Sequence, residues 1–249
     1  MVVVKNKRNI EAMKVACKIS AQALQLGGEA VKPGITTFEI DKIIHDFIVK
    51  QKAVPSFLDY GGYPASACIS VNNEVIHGIP SKKVVIKEGD IVSIDVGAYI
   101  GGFHGDNAAT FAAGEISVEA ENLLLATKQS LHEGINAAVV DGRIGDIGNA
   151  IETYVTERGY GIARGWVGHG VGRKLHEEPE VPNFGKKGHG PRLFSGMTLA
   201  IEPMINLLGD DVYTLDDGWT VVTSNGSLSA HFEHTIVITD NGPVIMTLP

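Results

Sequence analysis

Residues 93–110 read SIDVGAYIGGFHGDNAAT, two apolar strand-like segments joined by a glycine-rich turn. Asp95 and Asp106 lie inside these segments among Ile, Val, Ala and Phe residues. If Ile100 and Gly101 are the two turn residues, the antiparallel register places Asp95 directly opposite Asp106, with Cβ atoms about 4.5–5.5 Å apart. Like charges at that distance repel, so the pair predicts either an exposed edge hairpin or a shared cation. The apolar neighbours favour the cation.

Three further candidate ligands follow in similar surroundings. His169 lies in GHGVG (168–172), Glu202 in LAIEPMI (199–205) and Glu233 in AHFEHTIVIT (230–239). One such acid alone usually marks a solvated strand face, and a lone His between glycines usually marks a loop. Carboxylates are rarely buried without a partner, however, and four of them recur in apolar strands here.

Four carboxylates and one imidazole suit divalent ions such as Mn, Fe, Co or Zn. Two such ions about 3.5–4 Å apart can lower the pKa of a water and stabilise an oxyanion. The chain lacks a Gly-x-Ser-x-Gly elbow, a P-loop, a strand–helix Gly-x-Gly-x-x-Gly and a His-Glu-x-x-His motif. These patterns together predict a metal-dependent hydrolase.

The composition narrows the class of protein. The 249 residues are 44% hydrophobic and carry a net charge of −8, which fits one large domain and argues against a general nucleic-acid-binding surface. Cys17 and Cys68 are too few for a disulfide framework. The start of the chain lacks the apolar region of a signal peptide, and no stretch approaches the roughly 18 apolar residues of a membrane span. We therefore expect a cytoplasmic protein without a membrane partner.

Apolar periodicity predicts a repeated order of elements. A helix over 9–26, ended by Gly27 and Gly28, precedes a second helix that opens with a capping box at Thr36. A helix over 117–138 and another that ends near Gly159 repeat this order, and strand-like segments follow each pair. We therefore predict an α+β fold in one domain, residues 1–249, with two pseudo-symmetric halves. Each half has two helices packed on antiparallel strands, and the ligands meet at the centre.

The ordered ligand set resembles the dimetal site of the methionine aminopeptidases and their pita-bread relatives. The strings most similar to the type I pattern are CISVNNEVIHGIP (68–80), DVGAYIGGFHGD (95–106), GHGVGRKLHEEPEVPNFG (168–185), TLAIEPM (198–204) and HFEHTIVIT (231–239). The resemblance extends from the first helix to the last strand. It implies the pita-bread fold and a site that holds two divalent metal ions. Two departures are Asn107, where Thr is common, and Leu175, where Phe is usual.

The resemblance also implies a role for each matching residue. Asp95 would bind one ion, His169 and Glu202 the other, and Asp106 and Glu233 both. Glu202 would accept the proton of the attacking water. The implied substrate-facing histidines, which contact the scissile amide and assist the leaving amine, are His77 and His176. The implied lining of the methionine pocket is Tyr60, Tyr63, Cys68 and Trp219.

The implied activity is removal of the initiator methionine from nascent proteins and peptides with a small second residue. Water activated by the two ions would attack the first peptide bond. The expected partners are nascent N-termini and, transiently, the ribosome, with no specific nucleic acid and a monomeric state. The candidate basic contacts for the ribosome are Lys5, Lys7, Arg8, Lys186 and Lys187.

Three other classes of protein are alternatives to a methionine aminopeptidase. An X-Pro aminopeptidase or prolidase shares the five ligands but usually carries an additional N-terminal domain, whereas this sequence begins almost at its first helix. A non-catalytic binding protein with this fold would have lost one or more ligands. A single-metal oxygenase or isomerase would use two or three histidines. The short stretch before the first helix, the complete ligand set and its single histidine therefore favour, respectively, the methionine aminopeptidase over each of these three alternatives.

Overall fold

The computed structural model describes residues 2–249 and shows an α+β fold in which the order of elements repeats. The first half contains α1 (Lys7–Ala30), α2 (Thr37–Lys50), β1 (Val54–Pro55), β2 (Ala67–Val71), β3 (Glu74–Ile76), β4 (Ile91–Ile100) and β5 (Phe103–Ala112). The helices of the second half are α3 (Val118–Ala137) and α4 (Ile144–Thr156). Its strands are β6 (Gly161–Ile162), β7 (Gly168–Gly170), β8 (Glu177–Val181), β9 (Thr198–Ile201), β10 (Met204–Asn206), β11 (Val212–Thr214), β12 (Val221–Thr223), β13 (Ser229–His231), β14 (His234–Thr239) and β15 (Gly242–Ile245).

Local sequence signals explain where the helices begin. The Thr36 hydroxyl accepts from the backbone N–H of Glu39, whose carboxylate accepts from the N–H of Thr36, so the predicted capping box is confirmed. The predicted end of α1 at Gly27 was wrong, since the helix continues to Ala30. A Cβ at Gly27 would lie 2.8 Å from the side chain of Ile44, so this glycine allows α2 to pack closely against α1.

Two similar apolar clusters hold the helices on the sheets. In the first half, Ile40 and Ile44 of α2 are fully buried with Ile94 of β4. In the second half, Ile147 and Ile151 of α4 are buried in a cluster with strands β9 and β14. The strand pairs are antiparallel. In one sheet β4 is hydrogen-bonded to β1, β2 and β5, and a second, five-stranded sheet has the order β15-β14-β9-β7-β8. This arrangement confirms the predicted helix pairs on antiparallel strands.

The two halves meet along β5. The backbone N–H of Glu233 donates to the carbonyl of Ala108 at 2.8 Å, and the hydroxyl of Thr235 donates to the carbonyl of Asp106 at 2.8 Å. These bonds bring the hairpin of the first half against the segment that enters β14 of the second. The centre of the molecule is therefore built from both halves. Within residues 2–249, no helix is long and apolar enough to cross a membrane.

The register of the β4–β5 hairpin differs from the prediction. Asp95 pairs with Ala108, and Asp106 pairs with Gly97, so the two carboxylates are diagonal neighbours on one face and not directly opposed. The turn consists of Gly101 and Gly102, with φ of 62° and 84°. A two-residue type I′ turn requires positive φ at both positions, which glycine adopts without strain and a β-branched residue such as isoleucine does not. The predicted turn was therefore placed one residue too early.

Candidate functional site

Five predicted ligands line one cavity of about 370 Å³ at the junction of the halves. They are Asp95 on β4, Asp106 on β5, His169 on β7, Glu202 directly after β9 and Glu233 directly before β14. Ligand atoms of Asp106, His169 and Glu233 all lie within 4.8 Å of one another. The Nε2 of His169 is 3.8 Å from Oδ2 of Asp106 and 3.6 Å from Oε1 of Glu202. The fold thus gathers side chains from distant segments into one cluster.

The protonation of His169 follows from its surroundings. Its Nδ1 is 2.8 Å from the carbonyl oxygen of Gly170, which can only accept, so Nδ1 carries the hydrogen. Burial, followed by the neighbouring His176, lowers the pKa of His169 to about 3, and the ring is neutral near pH 7. A neutral imidazole with its hydrogen on Nδ1 has a lone pair on Nε2, which is the form that binds a metal ion.

Burying four carboxylates close together costs electrostatic free energy when all of them are charged. Burial raises the pKa of Asp95 to about 7 and that of Glu202 to about 8. Burial and then the charges of neighbouring acids raise the pKa of Asp106 and of Glu233 well above the ordinary range. Both effects disfavour charged carboxylates in a cluster that contains only protein.

Several of these oxygens also lack donors. Across residues 2–249, no hydrogen-bond partner is found for Oδ1 of Asp95, Oδ1 of Asp106 or Oε1 of Glu233. A buried acceptor without a donor costs free energy that a cation would recover. The combination of hard carboxylate oxygens with a single imidazole suits divalent first-row metal ions. The residues present therefore fit a metal centre.

One end of the cavity is apolar and closed. Phe57, Tyr63, Cys68 and Leu175 are buried there, with Trp219 packed against them. The Tyr63 hydroxyl donates to the carbonyl of Gly78 at 2.8 Å, and its ring meets Trp219 edge to face at 5.1 Å. Beside the carboxylates, the cavity therefore has a preformed end lined by aromatic and aliphatic side chains, which suits an apolar group of a ligand.

Two histidines line the cavity between this pocket and solvent. His77 has a positive φ of 59°, and the centroid of its ring lies 5.0 Å from that of the Trp166 ring. His176 is exposed, with Nδ1 2.7 Å from the hydroxyl of Tyr60 and its ring 4.2 Å from that of His169. Burial lowers the pKa of His77 to about 4. The ring of His176 faces the cavity and is partly desolvated although the residue is exposed, which also lowers its pKa, so both rings are neutral near pH 7. Neutral imidazoles can donate or accept at a bound amide.

Two further residues near the carboxylates, His231 and Trp166, were not predicted from the sequence. His231 is 1% exposed, and its Nε2 lies 3.6 Å from Oε2 of Glu202. Each carboxylate oxygen of Glu202 therefore faces one imidazole, His169 on one side and His231 on the other. The signal for His231 was its position two residues before Glu233, since residues two apart in an extended chain share a face.

Comparison with known proteins assigns the chain to a family. Residues 11–240 match metallopeptidase family M24. The chain belongs to this family. Two M24 relatives are the methionine aminopeptidases of Clostridium perfringens, 54% identical, and Clostridium acetobutylicum, 52% identical. Each match extends over 248 residues and covers 100% of this chain and 99% of the relative.

Solved M24 structures have the same fold. The methionine aminopeptidase of Thermotoga maritima superposes with a TM-score of 0.98 at 44% identity, over 100% of both chains. The prolidase of Pyrococcus furiosus superposes with a TM-score of 0.82 at 22% identity, over 99% of this chain and 66% of the prolidase. At that identity the likeness to prolidase concerns the fold alone. The predicted pita-bread fold is confirmed.

Proposed function

We propose that this M24 chain, a single catalytic domain of residues 1–249, is a methionine aminopeptidase. It removes the N-terminal methionine from nascent proteins and peptides with a small second residue. The observation that carries the proposal is the closed apolar pocket directly beside four carboxylates and a neutral imidazole. Full-length relatives at 52% and 54% identity have the same activity in their names, whereas the prolidase likeness is distant. The complete set of candidate ligands argues against a non-catalytic relative.

Five residues would hold two divalent ions, drawn from Mn, Co, Fe or Zn: Asp95, Asp106, His169, Glu202 and Glu233. Bound ions would supply Lewis acidity, which lowers the pKa of water and polarises a peptide carbonyl. The single-metal alternative is less well supported, because four carboxylates can neutralise more charge than one divalent ion carries. The unpartnered oxygens of Asp95, Asp106 and Glu233 support this assignment.

Side chains that line the cavity accept the proton, bind the substrate and assist departure of the amine. Glu202 accepts the proton of the attacking water, and its position between the imidazoles of His169 and His231 restricts its orientation. The methionine side chain occupies the pocket whose proposed lining includes Tyr60, Tyr63, Cys68 and Trp219. His77 and His176 contact the scissile amide and assist departure of the amine. Because the Nδ1 of His176 is engaged with Tyr60, its Nε2 is left for the substrate.

The proposed substrate-facing role of His77 and the proposed metal-binding role of His169 can be distinguished experimentally. His77→Ala is expected to lower kcat while leaving metal content near the wild-type value, since His77 faces substrate. His169→Ala is expected to weaken metal binding, because it removes the one imidazole of the proposed metal site. The measurement is metal content after dialysis, together with kcat for a Met-Ala peptide. An equal loss of metal in both variants would show that these roles are not separate.

Selectivity for the second residue tests the substrate class. Peptides that begin Met-Gly, Met-Ala, Met-Ser or Met-Val are expected to release methionine, whereas Met-Leu and Met-Lys peptides are expected to be poor substrates. The reason is steric, because His77 and the Tyr60–Tyr63 turn narrow the cavity where the second side chain must lie. Release of free methionine, compared across the series as kcat/KM, is the measurement. Efficient cleavage of Met-Leu or Met-Lys would contradict the proposal.

The proposed substrates emerge from ribosomes, so we place the protein, a monomer, in the cytoplasm and at the ribosome transiently. Lys7, Arg8, Lys186 and Lys187 are exposed, which supports them as basic contacts. Lys5 does not fit this role, because it is 4% exposed and bonded to Glu177. The expectation that Lys5 meets the ribosome was therefore wrong.

A further inference from the structure

We infer that Lys5 is a positioning residue for His176. Its ammonium group holds the carboxylate of Glu177, and that carboxylate closes the turn over 172–177, which carries His176 into the cavity. The inference rests on the proposed function, in which His176 faces the substrate amide. It assigns a catalytic consequence to the N-terminal segment, residues 2–6, none of which lines the cavity that holds the proposed ligands.

The ion pair between Lys5 and Glu177 is buried and short. The Nζ of Lys5 lies 2.6 Å from Oε2 of Glu177, and the two side chains are 3% and 8% exposed. The backbone N–H of Lys5 also donates to the carbonyl of Gly196 at 2.8 Å, and Val4 forms a β-bridge with Met197. The lysine therefore reaches the turn from a fixed point on the sheet.

The second oxygen of Glu177 organises the turn itself. Oε1 accepts from the backbone N–H groups of Arg173 at 2.8 Å and Lys174 at 3.2 Å. A Cβ at Gly172 would lie 2.6 Å from Cε of Lys5 and 2.7 Å from Oε1 of Glu177, so the backbone passes directly against the ion pair. One carboxylate thus connects the N-terminal segment to both ends of the turn.

His176 needs such support because it is exposed. Its imidazole is held by the hydroxyl of Tyr60 at 2.7 Å and by contact with the ring of His169 at 4.2 Å. Tyr60 is itself 44% exposed, so it is a weak anchor. Glu177 directly follows His176 in the chain, and fixing its carboxylate fixes the backbone from which the imidazole projects.

A purely stabilising role is the alternative. Buried ion pairs lose much of their Coulomb attraction to desolvation, and replacing both charges by neutral groups of similar size is often harmless to stability. A positioning role predicts a different result. Loss of the lysine should then slow turnover even in a variant that leaves no buried charge unpaired.

The test compares four variants of the full chain, loaded with Mn²⁺ and assayed on a Met-Ala peptide. Lys5→Met removes the charge but keeps the apolar stem, and Lys5→Arg keeps a charge. The double variant Lys5→Met/Glu177→Gln removes both charges and keeps an oxygen for the turn. Lys18→Met, at an exposed lysine of α1 that has no assigned role, is the matched control. The readouts are kcat, KM, bound metal and melting temperature.

Small displacements of a catalytic group can cost about 10²-fold in rate. We expect Lys5→Met and the double variant to lose about 10- to 100-fold in kcat, with KM and bound metal near wild type. Lys5→Arg should recover most of the rate, and Lys18→Met should turn over at the wild-type rate. The inference is overturned if the double variant turns over at the wild-type rate, if the loss follows bound metal, or if neither neutral variant folds. Absence of activity in the wild type would instead refute the proposed function.

Discussion

The Glu202→Gln variant is expected to lose about 10²–10⁴-fold in kcat on a Met-Ala peptide, the usual cost of removing a general base. Glutamine keeps the size of the side chain and one oxygen, but it cannot accept the proton of the attacking water. It would also weaken one position of the proposed metal site. The measurement is release of free methionine at saturating metal, so that reduced metal affinity does not limit the rate.

Glu180→Gln provides the matched control for this substitution. Glu180 lies opposite His169 in the same sheet, and it is exposed. Its loss should leave kcat near the wild-type value. If Glu202→Gln retained activity within tenfold of wild type, Glu202 would not be the proton acceptor.

Metal binding should stabilise the fold. The cluster holds four buried carboxylates, and ions that bind only the folded state add RT ln(1 + [L]/Kd), about 2.7 kcal/mol at a hundredfold excess over Kd. For a domain of this size we expect an increase of several degrees in melting temperature when Mn²⁺ or Co²⁺ is added to chelator-stripped protein. Differential scanning calorimetry with and without metal is the measurement.

The size of this increase should depend on pH. Burial raises the pKa of Asp95 from 3.8 to about 7 and that of Glu202 from 4.5 to about 8. Between pH 4 and 8 the metal-free folded protein retains protons that the unfolded chain has released, so its stability falls as pH rises. A metal ion replaces those protons. The metal-induced increase in melting temperature should therefore be larger at pH 8 than at pH 5.

Asp106→Asn tests whether the acids act as one cluster. This change removes a negative charge at the centre, so most of the response to metal should disappear. Asp216→Asn, at an exposed acid, should respond to metal as the wild type does. An unchanged melting curve of the wild type at saturating metal would show that these acids do not form one metal site.

Much of the fold could be predicted because its signals are local. The capping box predicted at Thr36 depends only on neighbouring residues, and it forms. The end of α1 could not be predicted, because Gly27 is required by the contact with Ile44, which is distant in sequence. A glycine needed for packing and a glycine that ends a helix look the same in one sequence.

The sequence predicted that the five candidate ligands would meet at the centre, and they line one cavity, but their relative positions could not be predicted. Asp95 and Asp106 could be recognised because acids in apolar strands are rare. Their relative position, however, changes when the turn of the hairpin shifts by one residue. The positive φ of Gly101 and Gly102 decides that register. The signal for His231, its position two residues before Glu233, does not identify a partner, and the folded chain shows that its Nε2 approaches Glu202.

The position of Lys5 could not be predicted from the sequence. Because lysine is rarely buried unless it is paired, its side chain was expected to lie at the surface. Its partner Glu177 lies in the second half of the chain, so only tertiary structure reveals the buried pair.

We propose that the five candidate ligands bind metal for cleavage after an N-terminal methionine. The most direct measurement titrates chelator-stripped protein with Mn²⁺ while it acts on a mixture of Met-Ala-Ser and Ala-Pro-Ser peptides. We predict no cleavage without metal, release of methionine that rises with bound Mn²⁺, and an intact Ala-Pro bond throughout. Cleavage at Ala-Pro, or no release of methionine at full metal occupancy, would show that the protein is not a metal-dependent methionine aminopeptidase.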